Sequence, residues 1–362
     1  PAAVAMKNQG ENMLTAKQAK DWFKGVTVPL ATIFHKDGSL DLESTASNVQ
    51  WLVDQGARQG NTILLTAGSG GDFTSLNTEE RKQVIGAVAK IAAGKIPTIA
   101  SVQSTDIRVT IELSQFCEEV GIDAVQMSGA YYYDGRPEDV VDWVEEVARH
   151  TKVGFAAYSH WYSGSKYDLP ISVVEHLLDL PNTIAVKWAS PVIESFIEGV
   201  QKFEPRVAVV DNGPIPIFGH ILGCRAFISH VPNYYPHHAW KVWDLMEAQR
   251  YQEAQKLYDE FMVPYMDLIG KVAATTAGET WTCQVTPSDG ETTGPDARIF
   301  ESRLRALGSK ALRRVSRFSG RSISRPRPAE RCSWKTAPLA KARSRWLLKL
   351  SGPKAGLKTS GG

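Results

Sequence analysis

The decisive stretch of this chain is Asn182-Thr183-Ile184-Ala185-Val186-Lys187-Trp188-Ala189-Ser190. Its apolar centre has the length and composition of a short strand that is buried on both faces, and Lys187 stands at the carboxyl end of that strand. A helical pattern follows over Pro191–Phe203. We therefore predict one strand–helix unit here, with a lysine at the point where the strand ends.

The same unit repeats along the chain. Strands are predicted at Val26–Leu30, Thr62–Leu65, Ile96–Val102, Asp123–Met127, Val153–Ala157, Ile184–Lys187, Val207–Val210 and Ala226–Ser229. Helices are predicted between and after them at Glu43–Gln55, Thr78–Ala93, Ile107–Val120, Pro137–His150, Ile171–Leu178, Pro191–Phe203, Ile215–Leu222 and Ala239–Ala248. Eight such units within about 225 residues, joined by short loops, predict a (β/α)8 barrel, also called a TIM barrel.

The alternative to a barrel is a doubly wound sheet with a phosphate-binding loop after an early strand. The glycine-rich run Gly68-Ser69-Gly70-Gly71 resembles such a loop. It lacks the GxGxxG spacing and the acidic residue about 20 positions later that a dinucleotide-binding loop needs. We therefore favour the barrel, with Tyr251–Ile269 as a C-terminal helical extension packed outside it.

The composition is that of an ordinary soluble globular protein, with 362 residues of which 43% are hydrophobic and 22% charged. The apolar runs are only as long as strands, so we expect no membrane span, and no signal-peptide pattern opens the chain. The four cysteines lack the paired spacing of a zinc site or a disulfide framework, which favours a reducing cytoplasm. We divide the chain into a flexible N-terminus at 1–13, a barrel domain at 14–279 and a tail at 280–362.

The tail differs from the rest of the chain in charge. Residues 280–362 hold 18 Lys or Arg and 5 Asp or Glu, a formal charge of +13, whereas residues 1–279 hold 23 and 34, a charge of −11. The tail is rich in Ser, Arg and Pro and has almost no apolar periodicity, so we expect a basic, disordered segment. Two other interpretations stay open, namely an arm that binds nucleic acid or a membrane surface, and a C-terminus translated out of frame. We predict neither a membrane nor a nucleic acid as the partner of this protein.

Two strand ends carry the residues for which chemistry is predicted. Active sites of (β/α)8 barrels lie at the carboxyl ends of the strands, where strand six ends on Lys187 and strand five ends just before Tyr158. Burial disfavours an ammonium group, and lowering a lysine pKa from about 10.4 to about 7–8 takes roughly 4 kcal/mol, which a barrel interior supplies. The neutral amine is then a nucleophile suited to Schiff-base chemistry on a carbonyl substrate.

Other strand ends add candidate substrate contacts, which are Gly68, Ser69, Gly70, His160 and Asp211. Trp161 and Trp188 are expected to add aromatic bulk at the same mouth of the barrel. A metal site at His230, His237 and His238 is not predicted, because adjacent histidines point in different directions on a helix and no carboxylate stands at ligand spacing.

The chain resembles the dihydrodipicolinate synthase / N-acetylneuraminate lyase superfamily of Schiff-base-forming lyases and aldolases. The resemblance covers about residues 25–274, and the order and spacing of several short motifs carry it. These are Gly25-Val26-Thr27-Val28-Pro29, the loop Thr66–Asp72 with Leu76-Asn77-x-x-Glu80-Arg81 behind it, Tyr131-Tyr132-Tyr133, Tyr158, Val186-Lys187-x-Ala189-Ser190 and Asp211-Asn212.

The resemblance implies a role for each matching residue. Lys187 is implied to form an imine with the keto group of a 2-oxo acid such as pyruvate, and Tyr158 to act as the proton shuttle. Tyr132, from the group of three tyrosines, is implied to complete a proton relay. The Ser69 hydroxyl and the Gly70 amide are implied to bind the substrate carboxylate. Neither a metal nor an organic cofactor is implied, and a homo-oligomer, a dimer or a tetramer, is expected.

The chain also departs from the family pattern. Gly70 stands where the family has the second hydroxyl of a threonine pair, and Ser163 stands where the synthases place an arginine for the second substrate's carboxylate. These changes argue against lysine biosynthesis and favour a sugar-acid aldolase or dehydratase. Two alternatives are kept, which are a hydratase-aldolase for aromatic aldehyde adducts and a barrel that binds a 2-oxo acid without catalysis.

Overall fold

The computed structural model of the protein describes residues 14–128, 135–160, 168–273, 281–284, 330–336 and 346–349. The chain divides into two compact units, Pro1–Tyr258 and Asp259–Gly362. The predicted boundaries at 13 and 279 remain predictions, as does the division of labour between barrel and tail.

The first unit is a closed barrel of eight parallel strands. They are β1 (Gly25–Pro29), β2 (Thr62–Thr66), β3 (Thr98–Ser101), β4 (Ala124–Met127), β5 (Gly154–Tyr158), β6 (Thr183–Trp188), β7 (Ala208–Asp211) and β8 (Ala226–Ile228). Each strand pairs with the next, and β8 pairs with β1 to close the barrel. The predicted (β/α)8 barrel is confirmed.

Helices stand before, between and after the strands. Their bounds are α1 (Ala16–Trp22), α2 (Leu42–Asp54), α3 (Thr78–Ala92), α4 (Ile107–Val120), α5 (Pro137–Ala148), α6 (Ile171–Leu177), α7 (Ile193–Phe203), α8 (Pro216–Ile221), α9 (Pro236–Glu247) and α10 (Tyr251–Ala273). Among the described residues, no helix combines the length and the apolar character needed to cross a membrane.

Helix α1 was not predicted, and it lies at the amino-terminal end of the barrel. The Lys20 carbonyl accepts a hydrogen bond from the Arg225 side chain just before β8, and the Asp21 carbonyl accepts one from Gln59 just before β2. A capping box between Thr15 and Gln18 begins the helix. The short helix therefore closes the end of the barrel opposite the predicted active site.

The barrel interior is filled by one apolar cluster. Phe23, which follows α1, packs there with inward side chains from the strands, and five of those are alanines: Ala124, Ala156, Ala185, Ala208 and Ala226. Successive side chains of a strand alternate between the two faces, so the neighbours of these residues form a second apolar layer between strands and helices. This alternation decides which strand-end residues face the lumen of the barrel.

The described part of the second unit contains three short strands that the sequence analysis did not predict. They are β9 (Trp281–Gln284), β10 (Glu330–Thr336) and β11 (Trp346–Lys349). Strand β10 pairs in parallel with β9 and antiparallel with β11. Each strand contains a tryptophan, a residue favoured in strands, within a sequence that otherwise lacks apolar alternation.

Candidate active site

Lys187 lies inside the barrel near the carboxyl end of β6. Its neighbours Val186 and Trp188 belong to the outer apolar layer, so alternation directs the lysine side chain to the lumen. Lys187 is only 6% exposed, and burial lowers its pKa to about 7. No carboxylate among the described residues forms an ion pair with it, so nothing charged offsets the cost of burying an ammonium group.

Tyr158, the other residue predicted from the strand ends, lies beside Lys187. It pairs with Lys187 across β5 and β6, and the Lys187 Nζ lies 4.0 Å from the centroid of the Tyr158 ring. Tyr158 is also buried. The amine and the phenol are thus held side by side in a site from which bulk water is largely excluded.

His160 extends this group along the loop after β5. Its ring centroid lies 4.4 Å from that of Tyr158, and its side chain is buried. Burial, and after it the charge of Lys187, lowers the His160 pKa to about 4. The imidazole is therefore neutral at physiological pH and adds no positive charge beside the lysine.

The glycine-rich loop after β2 forms a single turn of 3-10 helix over Ser69–Gly71. Ala67 and Asp72 flank it in the left-handed region, with φ of 51° and 55°. Among the described residues nothing accepts a hydrogen bond from the Ser69 or the Gly70 amide, so two successive backbone N–H groups are available to a ligand. Such a pair is suited to an anion.

Gly70 is required by its surroundings. A Cβ atom at this position would lie 2.7 Å from the Cβ of Pro29 and 2.8 Å from the Cε1 of His230. These two residues, at the ends of β1 and β8, occupy the space in which the second threonine of the family pattern would stand. A threonine at position 70 would therefore clash with Pro29 and His230, and the absence of its hydroxyl goes together with these two neighbours.

Asp211 is not brought together with the other predicted residues. Ala208 and Val210 face the lumen, so alternation directs Asp211 outward, where its carboxylate packs against Gly219 of α8. Its Oδ1 accepts a hydrogen bond of 2.6 Å from the Gly213 amide. Burial raises the pKa of this carboxyl to about 7.

The expectation that Trp188 lines the mouth of the barrel is wrong. Trp188 packs in the outer layer, where its Nε1 donates to the Phe196 carbonyl of α7 at 3.2 Å and its ring meets the edge of Phe203. The same alternation that points Lys187 inward points the following residue outward. Asn212 links the strand ends. Its backbone N–H donates a hydrogen bond to the Trp188 carbonyl, and its side-chain Nδ2 donates one to the Ser159 carbonyl.

The remaining sequence predictions fall into two groups. Tyr132, Trp161 and Ser163 lie outside the described residues. His237 and His238 begin α9 and bond in different directions, to Gln55 and to the Leu257 carbonyl. Among the described residues no group of three potential ligands stands close enough to hold a metal ion.

A buried polar network at the ends of β3 and β4 was missed by the sequence analysis. Arg81 of α3 donates to the Gln103 carbonyl at 2.8 Å and to the Ser101 carbonyl at 2.7 Å. The side chains of Ser101, Gln103, Gln126 and Ser128 form a connected chain of hydrogen bonds. The signal was available, because polar residues two positions apart at adjacent strand ends share one face of the sheet.

Comparison with solved structures agrees with this fold. An N-acetylneuraminate lyase from Mycoplasma synoviae is similar with a TM-score of 0.61 and 24% identity, over 69% of this chain and 83% of that one. The protein CdNal from Clostridium difficile, solved in complex with mannosamine, is similar with a TM-score of 0.63 and 18% identity, over 79% and 98%. At such identities the likeness concerns the fold.

Curated relatives are similar in sequence as well. An Escherichia coli K12 protein provisionally named 2-dehydro-3-deoxy-D-gluconate aldolase YagE is 28% identical over 242 residues, 64% of this chain and 78% of its own. A 4-hydroxy-tetrahydrodipicolinate synthase from Thermoanaerobacter sp. X514 is 27% identical, over 59% of this chain and 71% of its own. A provisionally named 5-dehydro-4-deoxyglucarate dehydratase from Azotobacter vinelandii is 26% identical, over 66% and 77%.

The barrel fold and the sequence likeness place the chain in one class with these relatives, which are named as aldolases, dehydratases and synthases. The model of the dihydrodipicolinate synthetase family matches residues 22–278, and the chain belongs to that family. It is a lyase, as its relatives named aldolases and dehydratases are.

Proposed function

We propose that this lyase works through an imine between Lys187 and the keto carbon of a 2-oxo acid, pyruvate or a pyruvate-derived sugar acid. One observation carries the proposal. A buried lysine with a pKa of about 7 has its Nζ 4.0 Å from the ring of a buried tyrosine. At neutral pH about half of such lysines are neutral and nucleophilic, whereas an ordinary lysine is almost entirely protonated.

The reaction begins with attack of the Lys187 amine on the keto carbon, which gives a carbinolamine. Tyr158 donates a proton to the carbinolamine oxygen, water leaves, and an iminium ion forms. The iminium withdraws electrons from C3, so a C3–C4 bond breaks with loss of an aldehyde, or a hydroxyl is lost as water. In cleavage, the Tyr158 phenolate takes the proton of the C4 hydroxyl as the C3–C4 bond breaks, and the enamine that remains is then protonated at C3. In dehydration, it takes a proton from C3 and returns it to the departing hydroxyl, which leaves as water. Water then hydrolyses the imine, which releases the product and the free Lys187 amine. Tyr132, which lies outside the described residues, stays a predicted member of this relay.

The substrate carboxylate is held by the loop after β2. The available Ser69 and Gly70 amides supply donors without a competing cation, and the exposed Ser69 hydroxyl adds a third donor. Gly68 lets the backbone approach the ligand closely. His160 contacts the substrate as a neutral ring, which avoids charge repulsion with the iminium.

A sugar acid is the substrate class that we favour. Two of the relatives carry names of enzymes that act on dehydro-deoxy sugar acids, and the arginine of the synthase pattern is replaced by Ser163. A barrel that only binds a 2-oxo acid does not need a lysine whose pKa is lowered by burial, because a protonated lysine binds a carboxylate better.

We also propose that the protein forms a homo-oligomer, a dimer or a tetramer, in a reducing cytoplasm. Val192, Ile193 and Ile215 are apolar and exposed at the starts of α7 and α8, which supports an interface there. Cys117 and Cys224 are free thiols, which agrees with a reducing compartment. Sedimentation of the full chain tests the assembly.

The deciding experiment is borohydride trapping with pyruvate, followed by peptide mass spectrometry. We expect a reduced pyruvyl adduct on Lys187 and on no other lysine. Lys187→Met removes the amine, and Lys202→Met is the matched control because Lys202 is exposed on α7. Absence of an adduct from folded protein, or an adduct that persists in Lys187→Met, contradicts the proposal.

A further inference from the structure

Gln126 is a buried amide that the mechanism above does not use. It is 2% exposed, and it faces the lumen because its neighbours Val125 and Met127 lie in the outer apolar layer. Its Nε2 donates to the Ser101 hydroxyl at 3.4 Å, whereas its Oε1 accepts no hydrogen bond from any described residue. A buried amide oxygen without a donor is unfavourable, so this atom is suited to a ligand that brings a donor.

The orientation of the amide follows from its neighbours. The Ser101 hydroxyl donates its single proton to the Gln103 Oε1 at 2.6 Å, and the Gln103 Nε2 donates to the Ser128 hydroxyl at 2.8 Å. The Ser101 hydroxyl can then only accept a hydrogen bond from Gln126, so the Nε2 of Gln126 faces Ser101 and its Oε1 is the atom without a hydrogen-bond donor.

Gln126 lies between the two parts of the proposed site. It pairs with Ala156 of β5, which pairs with Ala185 of β6, and two residues further along these strands stand Tyr158 and Lys187. The inward side chains beside Gln126 on β5 and β6 are these two alanines. On the other side a Cβ atom added to Gly68 would lie 3.9 Å from the Gln126 Nε2, so the glycine-rich loop lies against the amide.

We propose that Gln126 accepts a hydrogen bond from a hydroxyl group on the carbon chain of the substrate, and that it thereby selects hydroxylated 2-oxo acids. The carboxylate and the keto oxygen of a 2-oxo acid only accept hydrogen bonds, and pyruvate has no donor at all. A sugar acid brings hydroxyl donors to a place where an amide oxygen lacks one. This inference rests on the proposed Schiff-base function and names the residue that distinguishes its substrates.

The test compares trapping of pyruvate with trapping of 2-dehydro-3-deoxy-D-gluconate in the full-length protein. Total borohydride adduct on Lys187 is measured against concentration, and the ratio of the two half-saturation concentrations is calculated. Gln126→Met keeps the size of the side chain and removes the acceptor. We expect the ratio of sugar acid to pyruvate to rise about 5- to 10-fold, as for the loss of one hydrogen bond.

A second variant and a control keep the result interpretable. Gln126→Leu is used if Gln126→Met does not fold, as judged by circular dichroism. Thr183→Val removes another buried hydroxyl without a partner, at the amino end of β6, and its ratio is expected to match that of the unaltered protein.

Three outcomes overturn the inference. Half-saturation concentrations that are unchanged for both compounds mean that Gln126 serves only the protein or bound water. An equal rise for both compounds means that it shapes the barrel or contacts the imine itself. Absence of any adduct from the unaltered protein removes the proposed function and this inference with it, whereas an adduct with an unchanged ratio removes only the inference.

Discussion

Lys187 and Asp211 lie on adjacent strands of one barrel and share two properties, burial and a pKa shifted by that burial. Each is buried, and burial brings each pKa to about 7, from above for the lysine and from below for the carboxyl. They differ in the face of the sheet. Lys187 points into the lumen beside Tyr158, whereas Asp211 points outward against Gly219 of α8. Burial and a shifted pKa alone therefore do not identify a catalytic group, and the side of the strand decides.

The largest effect is expected from removing the lysine. Lys187→Met should lower turnover of a 2-oxo acid substrate by more than about 10³-fold, because no other described side chain supplies the nucleophile. Asp211→Asn should keep at least about a tenth of the activity, since its amide retains an acceptor for the Gly213 N–H and lies outside the lumen. Steady-state kinetics on both variants, with circular dichroism as the folding control, tests the contrast. Equal losses would mean that Asp211 acts in the site.

The same pair should have opposite effects on stability. A lysine with a folded pKa of about 7 destabilises the protein fully below pH 7, and this cost of about 4–5 kcal/mol disappears as the pH rises toward 10.5. A carboxyl with a folded pKa of about 7 destabilises it fully above pH 7, and a similar cost disappears as the pH falls toward 3.8. Lys187→Met should therefore stabilise most at low pH, and Asp211→Asn most at high pH.

Urea unfolding between pH 5 and pH 9 measures these differences in the free energy of unfolding. The gain from Lys187→Met should shrink above pH 7, and the gain from Asp211→Asn should shrink below it. Lys202→Met is the control, since an exposed lysine on α7 should change the free energy little at any pH. Two gains that change in the same direction with pH would contradict burial as the common cause.

The alternation of side chains along a strand also explains which features could be predicted from the sequence and which could not. Apolar periodicity predicted the eight strands and the order of the barrel, because each strand of a parallel barrel is a short apolar run. The strand-end rule then found Lys187 and Tyr158, which happen to be on the inner face. The same rule selected Asp211 and misplaced Trp188, because a position near a strand end fixes the height of a side chain in the barrel but not its direction.

Other features depend on contacts between distant segments, which a single sequence does not record. The requirement for Gly70 arises from Pro29 and His230, which are far from it in the chain. The free acceptor of Gln126 is visible only when its hydrogen bonds to β3 are known. Helix α1 is only 7 residues long, so its apolar pattern is weak, although its capping box was readable.

A second variant on the inner face of the barrel tests the role of the Tyr158 hydroxyl beside Lys187. Tyr158→Phe keeps the ring against Lys187 and removes the proton donor, so we expect kcat to fall about 10²-fold while slow imine formation persists. Tyr251→Phe is the control, because that hydroxyl meets His220 on the outside of the barrel. Stopped-flow trapping with borohydride separates imine formation from turnover. Unchanged kcat in Tyr158→Phe would assign the proton transfer to another group.

The smallest effects are expected in the glycine-rich loop, where the ligand is held by backbone rather than by a buried charge. Gly70→Ala adds a methyl group that meets Pro29 and His230, so the loop must shift and the two available amides with it. The half-saturation concentration for pyruvate trapping should rise about tenfold, and Ser69→Ala should raise it by less, because Ser69 is exposed and water can replace its hydroxyl as a donor to the carboxylate.

Thr74→Ala, in the next turn of the same loop, is the control and should leave the value unchanged. If the half-saturation concentration stays the same in Gly70→Ala as well, the carboxylate is bound elsewhere on the rim. The loop would then resemble Asp211, a well-ordered feature near the strand ends whose local geometry supports the barrel and not the substrate.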